Sequence, residues 1–130
     1  LSTLCKSLNI KPPKLGVMIE TPAAALSACF LAPYADFMSF GTNDLTQYVF
    51  AADRENAAVE MYYNDSADEI FRLIALVHSD VPKMALSICG ELAGRKEHIN
   101  KLLQLGITSL SVAAPLVVVI KQTVRQLKIS

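Results

Sequence analysis

The feature that most constrains the fold is a repeated order of short apolar runs, each followed by helical segments. The apolar runs cover residues 15–19, 36–40, 84–88 and 110–112, and the helical segments cover residues 23–32, 45–52, 70–77, 98–105 and 116–127. Strands that alternate with helices favour right-handed crossovers and a parallel sheet. The pattern therefore predicts an α/β fold built from four consecutive β/α units.

The composition and the length fit half of a barrel. Hydrophobic residues make up 52% of the 130 residues and charged residues 18%, below the roughly 25% charged residues of an ordinary soluble domain. The high share of hydrophobic residues favours strands that are buried on both faces. A complete (β/α)8 TIM barrel needs about 250 residues. Residues 1–14 are predicted to be the tail of a preceding helix, because Leu1, Leu4 and Leu8 recur at helical spacing.

Charge and hydropathy exclude several classes of protein. Twelve basic and 12 acidic residues give a net charge of zero, and no basic stripe indicates a nucleic-acid partner. No apolar run reaches the about 18 residues of a membrane span, and no signal peptide opens the chain, so we expect no membrane partner and a cytoplasmic location. The spacing of Cys5, Cys29 and Cys89 fits neither a disulfide framework nor a zinc site.

Polar side chains follow three of the predicted strands at their carboxyl ends. Glu20 follows the first strand, Asn43 and Asp44 follow the second, and Cys89 ends the third. In parallel barrels this edge is the catalytic face, and two carboxylates are about what Mg²⁺ takes from a protein. The residue types leave an alternative open, in which Glu20 and Asp44 each cap the helix that follows.

Four sequence blocks carry a family resemblance. They are Gly16-Val17-Met18-Ile19-Glu20 with Pro22-Ala23-Ala24, Gly41-Thr42-Asn43-Asp44-Leu45-Thr46-Gln47, Ala52-Asp53-Arg54, and Cys89-Gly90-Glu91-Leu92-Ala93-Gly94. With these blocks in this order, the chain resembles the phosphoenolpyruvate-binding barrel domain of enzyme I of the bacterial phosphotransferase system, the phosphoenolpyruvate-protein phosphotransferase family. The resemblance implies that residues 1–130 form the second half of that barrel, and its details favour the nitrogen-regulatory branch.

The resemblance also implies a role for each candidate site residue. Glu20 and Asp44 are expected to bind Mg²⁺, and Asn43 and Asp44 are expected to contact phosphoenolpyruvate. Arg54 is expected to bind the phosphate, for which its planar charged fork is suited. Cys89 is expected to protonate the enolate carbon, which a neutral thiol can do. The implied reaction is Mg²⁺-dependent phosphoryl transfer from phosphoenolpyruvate to a protein histidine, with release of pyruvate.

Simpler interpretations fit some of the same residues. Arg54 fits an ion pair with a neighbouring carboxylate, and Cys89 fits an inert buried thiol. His78 and His98 lack the flanking residues of the family's phosphorylated histidine, and both are predicted to be ordinary helix residues. At Arg95 the chain departs from the family, in which most members carry an acidic residue.

Other functions stay open. Pyruvate phosphate dikinase and phosphoenolpyruvate synthase share the Gly-Thr-Asn-Asp neighbourhood and the catalytic thiol. A protein of another class, a non-catalytic dimerisation and binding module, also fits, since the family's barrel carries a homodimer contact. The implied partners are phosphoenolpyruvate and pyruvate, a histidine-containing phosphocarrier protein, and a second copy of the parent enzyme. We expect the isolated chain to show no turnover.

Overall fold

The computed structural model describes residues 1–127 and contains a parallel sheet of four strands. They are β1 (Gly16–Ile19), β2 (Phe37–Gly41), β3 (Leu86–Cys89) and β4 (Ile107–Leu110). The strands lie in the order β1-β2-β3-β4, and every neighbouring pair is parallel. The predicted α/β class is confirmed, and the arrangement is consistent with half of a (β/α)8 barrel. Residues 128–130 of the predicted domain lie outside the described residues.

Helices connect the strands and cover one face of the sheet. They are α1 (Ser2–Ser7), α2 (Pro22–Leu26), α3 (Ala28–Leu31), α4 (Thr42–Phe50), α5 (Asp68–Asp80), α6 (Ile99–Gln104) and α7 (Val117–Gln126). None of the helices within residues 1–127 is long and apolar enough to cross a membrane. The helix predicted near residue 1 is present as α1, and its being the tail of a longer helix stays a prediction.

Cap and turn residues place several boundaries where the sequence predicts them. Oγ1 of Thr21 accepts a hydrogen bond from the main-chain N–H of Ala24 at 3.1 Å, and Pro22 is the first residue of α2. Gly106 follows α6 with a φ of +85°, the left-handed conformation that ends many helices. The chain turns there directly into β4.

The fourth strand lies earlier than predicted. The expected strand over residues 110–112 is wrong, because the turn at Gly106 leads straight into the sheet at Ile107. The register of β4 against β3 shifts beside Leu86, and Thr108 donates its hydroxyl to the carbonyl of Leu86 at 3.0 Å. Residues 111–113 therefore lie beyond the strand, at the carboxyl edge of the sheet.

Two helices also differ from the prediction. The single helix predicted over residues 23–32 is divided into α2 and α3, because Ser27 takes a φ of −105° and a ψ of 12° and interrupts the helical run. Helix α4 begins at Thr42, three residues before the predicted start. This earlier start changes the local structure of the candidate site.

The core lies between the sheet and the helices. Alternate strand residues are buried against the helices, as the burial of Met38 and Phe40 in β2 illustrates, whereas Phe37 in the same strand is exposed. The expectation that the strands are buried on both faces is therefore wrong for residues 1–127. Helices cover one face, and the opposite face is the one that faces the interior of a complete barrel.

Apolar side chains stay exposed on the outer strand and on α1. Leu15, just before β1, is 50% exposed, and Met18 of β1 is 46% exposed. In and beside α1, Leu1, Leu4 and Leu8 are each 59% exposed. Within residues 1–127, β1 and β4 each pair with one neighbouring strand. An unpaired parallel edge with apolar surface beside it is a surface that favours further packing.

Replacement of Gly106 by alanine is expected to lower the free energy of unfolding by about 2 to 3 kcal/mol. The φ at this position is +85°, and a Cβ there would overlap the imidazole of His78. Urea denaturation measures the loss. In a His78→Ala background the overlap is absent and the backbone strain is kept, so the same replacement should cost less. Equal losses in the two backgrounds would contradict this contact.

Candidate functional site

The carboxyl ends of three strands bring the candidate residues to one edge of the sheet. The register pairs Ile19 with Phe40 and pairs Gly41 with Cys89. Glu20 follows Ile19 and therefore lies level with Gly41, which in turn lies level with Cys89. Residues that are about seventy positions apart in the chain thus occupy neighbouring places on one edge.

Glu20 is an exposed residue packed against Gly41. A Cβ built on Gly41 would lie 3.1 Å from Cβ and 3.2 Å from Oε2 of Glu20, so the glycine leaves the space that the Glu20 side chain occupies. Helix α2 is capped by Thr21. The alternative in which Glu20 caps this helix is therefore not realised.

Asn43 and Asp44 lie in the first turn of α4, ahead of the helix start predicted at residue 45. Gly41 is the N-cap residue, and no side chain caps this helix end with a hydrogen bond. The partial positive charge of a helix N-terminus favours a carboxylate such as Asp44. The side-chain hydrogen bonds of residues 1–127 engage four other carboxylates but neither Glu20 nor Asp44. Both carboxylates therefore keep acceptor oxygens for a ligand.

Two hydrogen bonds join the start of α4 to the residues that follow β3. Thr42 donates its hydroxyl to the carbonyl of Cys89 at 2.8 Å, and Oδ1 of Asn43 accepts from the main-chain N–H of Glu91 at 3.0 Å. Gly90 lies between them with a φ of +91°, and a Cβ there would lie 2.8 Å from Oδ1 of Asn43 and would overlap Thr42. Glycine is the residue that permits this approach.

The contact with Glu91 fixes the orientation of the Asn43 amide. Because Oδ1 accepts the hydrogen bond from Glu91, the amide nitrogen and its two hydrogens are left for another acceptor. These donors lie at the N-terminal end of a nine-residue helix, where the backbone dipoles also favour an anion. Asn43 is therefore suited to bind an anionic oxygen.

Cys89 is a free, half-buried thiol beside an open cleft. Its Sγ donates to the carbonyl of Phe40 at 3.4 Å. The cleft has a volume of about 360 Å³ and is lined by Asn43, residues 89–91 and residues 111–113, among others. By contrast, Cys5 is 2% exposed and belongs to the core. Cys89 therefore differs from the buried cysteine that the alternative interpretation describes.

Arg54 lies on an exposed turn after α4 and is not among the residues that line the cleft. The two side-chain ion pairs found within residues 1–127 involve other residues. An ion pair between Arg54 and a neighbouring carboxylate, which the residue types left open, is therefore not formed. The structure brings Glu20, Asn43 and Cys89 to one edge and leaves Arg54 on the adjacent turn.

The carboxylates of the edge fit Mg²⁺ better than they fit a closed metal site. Within residues 1–127 there is no group of three or more His, Cys, Asp or Glu side chains that could hold a metal ion. Mg²⁺ binds through one or two protein carboxylates and keeps water and substrate oxygens as its other ligands. Structural zinc needs four protein ligands. Glu20 and Asp44 are donors of the type that Mg²⁺ takes from a protein.

Tyr63 is a site residue that the sequence analysis missed. Its hydroxyl donates to the main-chain carbonyl of Asn43 at 3.2 Å. Burial raises the pKa of Tyr63 above its ordinary value of 10.0, and the charges of Asp65 and Glu91 raise it further, whereas the charge of Arg54 acts in the opposite direction. The pattern of residue types gave no signal for this contact, because the acceptor is a main-chain carbonyl twenty residues away.

An ion pair joins the Tyr63 segment to the segment after β3. Nε and Nη2 of Arg95 each lie 3.0 Å from Oδ2 of Asp65, and the hydroxyl of Ser66 donates to Oδ1 of Asp65. Asp65 is 4% exposed, so this is a buried carboxylate with partners on both oxygens. The sequence favours Asp65 or Ser66 as the cap of the helix predicted over residues 70–77. This prediction is wrong, because the N-cap residue is Ala67 and no side chain caps α5 with a hydrogen bond.

The side chains of both histidines pack against other residues of the chain. His78 is a residue of α5 whose ring packs against Gly106, at the amino end of β4. His98 precedes α6, and its ring lies with its centroid 5.3 Å from that of Phe71. Neither ring lines the cleft beside Cys89.

Fold and edge residues together define a parallel β/α domain that has two carboxylates, an amide and a thiol at or next to its carboxyl edge. A family model described as PEP-utilising enzyme, PEP-binding domain matches residues 5–129. The chain belongs to this family of enzymes that use phosphoenolpyruvate.

Curated relatives carry names that specify the family further. The phosphoenolpyruvate-protein phosphotransferase of Mycoplasma genitalium is 46% identical over 103 residues, which is 78% of this chain and 18% of that protein. The protein of the same name from Haemophilus influenzae is 42% identical over 114 residues, 86% of this chain and 20% of that protein. Multiphosphoryl transfer protein 1 of Escherichia coli is 34% identical over 115 residues, 87% of this chain and 14% of that protein. The chain spans about a fifth or less of the length of these relatives.

The stability of the chain is expected to fall in alkali partly through Tyr63. The folded state raises the pKa of Tyr63 above 10.0, so the unfolded chain loses the hydroxyl proton first as pH rises. The contribution of Tyr63 to the free energy of unfolding is therefore lost as pH rises through its pKa in the folded state. Urea denaturation of the wild type and of Tyr63→Phe from about pH 9 to about pH 11 tests this around the ordinary tyrosine pKa. The difference should move in favour of Tyr63→Phe as pH rises. A stability difference between the wild type and Tyr63→Phe that stays constant with pH would contradict this expectation. The exposed Tyr62→Phe variant is the control.

Proposed function

We propose that this chain is part of a phosphotransferase that moves the phosphoryl group of phosphoenolpyruvate to a protein histidine with Mg²⁺ and releases pyruvate. The observation that carries the proposal is the pair of hydrogen bonds from Thr42 to Cys89 and from Glu91 to Asn43. These hydrogen bonds hold the amide of Asn43, which is proposed to bind the anion, close to Cys89, the proposed acid, at the same edge of the sheet. The family match and the names of the relatives support the substrate.

In this proposal, Asn43 and Arg54 bind the phosphate from two sides. The amide of Asn43 presents its two nitrogen-bound hydrogens, because its oxygen is engaged by Glu91. Arg54 is exposed and has no ion-pair partner within residues 1–127, so its guanidinium is available for two phosphate oxygens. Charge and hydrogen bonds on the phosphoryl oxygens lower the barrier to their transfer.

Glu20 and Asp44 are the residues that would hold Mg²⁺. Both are acceptor-only side chains at the carboxyl edge, and the side-chain hydrogen bonds of the described residues leave them unengaged. When bound, the ion supplies charge neutralisation for the phosphoryl oxygens and for the enolate oxygen of the leaving group. The open sheet edge next to Glu20 keeps room for water and substrate oxygens.

Cys89 supplies the proton that completes pyruvate. When the bond from phosphorus to the enol oxygen breaks, the phosphoryl group passes to a nitrogen of the histidine acceptor, and enolpyruvate leaves with the electron pair. The methylene carbon then takes the proton from Sγ of Cys89, which leaves a thiolate that water protonates again. The thiol lines a cleft of about 360 Å³ beside Asn43, so the proton donor lies next to the proposed phosphate site.

The relatives' names favour a protein phosphotransferase over pyruvate phosphate dikinase or phosphoenolpyruvate synthase. The proposal includes a histidine-containing phosphocarrier protein as a later acceptor, a homodimer of the parent enzyme, and a reaction in the cytoplasm, where phosphoenolpyruvate is formed. The exposed apolar side chains of α1 and β1 support further packing partners. Assignment to the nitrogen-regulatory branch stays a prediction.

Calorimetry tests the site on the chain itself. Titration with phosphoenolpyruvate in the presence of Mg²⁺ is expected to show binding without turnover. Asp44→Asn should weaken binding at least about tenfold, which is about 1.4 kcal/mol, because the variant removes a charge from the proposed metal site. Asp80→Asn, which changes an exposed carboxylate at the far end of α5, is the matched control and should bind like the wild type.

Two results would contradict the proposal. The first is the absence of a binding signal from a folded wild-type chain. The second is an identical titration for the wild type and Asp44→Asn. Titration of the wild type and of Asp44→Asn without Mg²⁺ separates a metal role of Asp44 from a direct contact with the substrate, since a metal role predicts that the loss from Asp44→Asn disappears without Mg²⁺.

A further inference from the structure

Tyr63 belongs to the connection between α4 and α5, of which the proposed reaction uses Arg54 but not Tyr63. It follows the 3-10 turn Glu60–Tyr62, its side chain is half-buried, and its hydroxyl donates to the main-chain carbonyl of Asn43 at 3.2 Å. A carbonyl oxygen has two lone pairs, so this hydrogen bond is compatible with the helical hydrogen bonding of α4. The connection is thereby attached to the first turn of the helix that carries the site.

Asn43 is consequently held at two points by two different parts of the chain. The N–H of Glu91 binds its side-chain oxygen at 3.0 Å, and the hydroxyl of Tyr63 binds its main-chain oxygen. The first contact sets which end of the amide is left for a ligand, and the second sets where the main chain of Asn43 lies. Together they fix a group that has to meet a small anion with little freedom.

The Tyr63 segment is itself anchored on the other side of the cleft. Asp65, two residues further along, accepts from Arg95 at 3.0 Å and is 4% exposed. The charge of Arg54, the other proposed phosphate-binding residue, lowers the pKa of Tyr63. A tyrosine hydroxyl is protonated at neutral pH at its ordinary pKa of about 10, and burial raises the pKa of Tyr63 further, so the hydroxyl stays a donor.

We propose that Tyr63 is a positioning residue of the phosphoenolpyruvate site, whose hydroxyl holds Asn43 at the place from which its amide binds the substrate. The inference rests on the proposed function, because the substrate assigned to the site comes from it. Tyr63 acts through Asn43 and does not contact the reacting atoms. Loss of its hydroxyl should therefore weaken binding without altering the residues that bind.

Calorimetry with phosphoenolpyruvate and Mg²⁺ tests this on the wild type, Tyr63→Phe and Tyr62→Phe. Tyr63→Phe keeps the ring and removes one hydrogen bond, so binding should weaken by roughly fivefold. Tyr62 is 62% exposed, and removal of its hydroxyl is the matched control, with binding expected at the wild-type level. In an Asn43→Ala background, Tyr63→Phe should cause no further loss, since the group that it positions is absent.

An NMR signature separates positioning from a general effect on stability. The side-chain amide pair of Asn43 is identified as the pair that is missing from the spectrum of Asn43→Ala. In the ligand-free chain, Tyr63→Phe should shift this pair and Tyr62→Phe should leave it in place. A structural role of Tyr63 elsewhere would lower the melting temperature without moving this pair.

The outcomes separate this inference from the proposed function. No binding by the folded wild-type chain contradicts the proposed function, and the role of Tyr63 fails with it. If the wild type binds phosphoenolpyruvate and Tyr63→Phe binds it with the same affinity, the inference is overturned and the proposed function is not. Equal losses from Tyr63→Phe in the wild-type and Asn43→Ala backgrounds overturn it as well, because the hydroxyl would then act on something other than Asn43.

Discussion

The close approach of α4 to the residues after β3 is the contact on which the rest of the site depends. Thr42 and Asn43 reach across to Cys89 and Glu91 with hydrogen bonds of 2.8 and 3.0 Å. The approach requires Gly90, whose φ of +91° and missing side chain leave room for both partners. Without it, the pairing of β2 with β3 would still join the two β/α units, but these two hydrogen bonds would not hold the start of α4 against the residues after β3.

The site is divided between a firmly held part and an open part. Cys89 ends the central strand β3, and Asn43 lies in the first turn of α4, directly after the central strand β2; both side chains form hydrogen bonds to the neighbouring unit. Glu20 follows the outer strand β1, is exposed, and lies beside Gly41. A rigid pair beside a carboxylate on an unpaired edge fits a site that further strands of a barrel complete.

Much of the fold follows from the sequence because strand and helix patterns are local. Thr21 with Pro22 and the turn at Gly106 are signals that act within a few residues, and the structure has both. The position of β4 was missed because Leu110 and Val112 alternate like a strand, whereas the helix end at Gly106 determines where the strand begins. The start of α4 was missed because Thr42, Asn43 and Asp44 favour turns as strongly as the first turn of a helix.

The sequence predicts the candidate site residues that lie in motifs at strand ends. It does not predict the contacts that the connection between α4 and α5 makes with the site. Glu20, Asn43 and Cys89 each stand at a predicted strand end, so a parallel sheet alone places them together. Tyr63 and Arg95 act through a main-chain carbonyl and a buried Asp65, and neither partner is marked by residue spacing. Long-range polar contacts of this kind depend on how the connection between α4 and α5 packs, which no local pattern determines.

The central claim is that the carboxylates of Glu20 and Asp44 meet at one divalent cation beside Asn43 and Cys89. A crystal structure of the chain grown with phosphoenolpyruvate and Mn²⁺, a stand-in for Mg²⁺ with measurable anomalous scattering, tests it most directly. The account predicts one anomalous peak at about 2.1 Å from an oxygen of each carboxylate, with phosphoenolpyruvate between the peak and Sγ of Cys89. A peak bound to one carboxylate alone, or located away from this edge, would contradict the account.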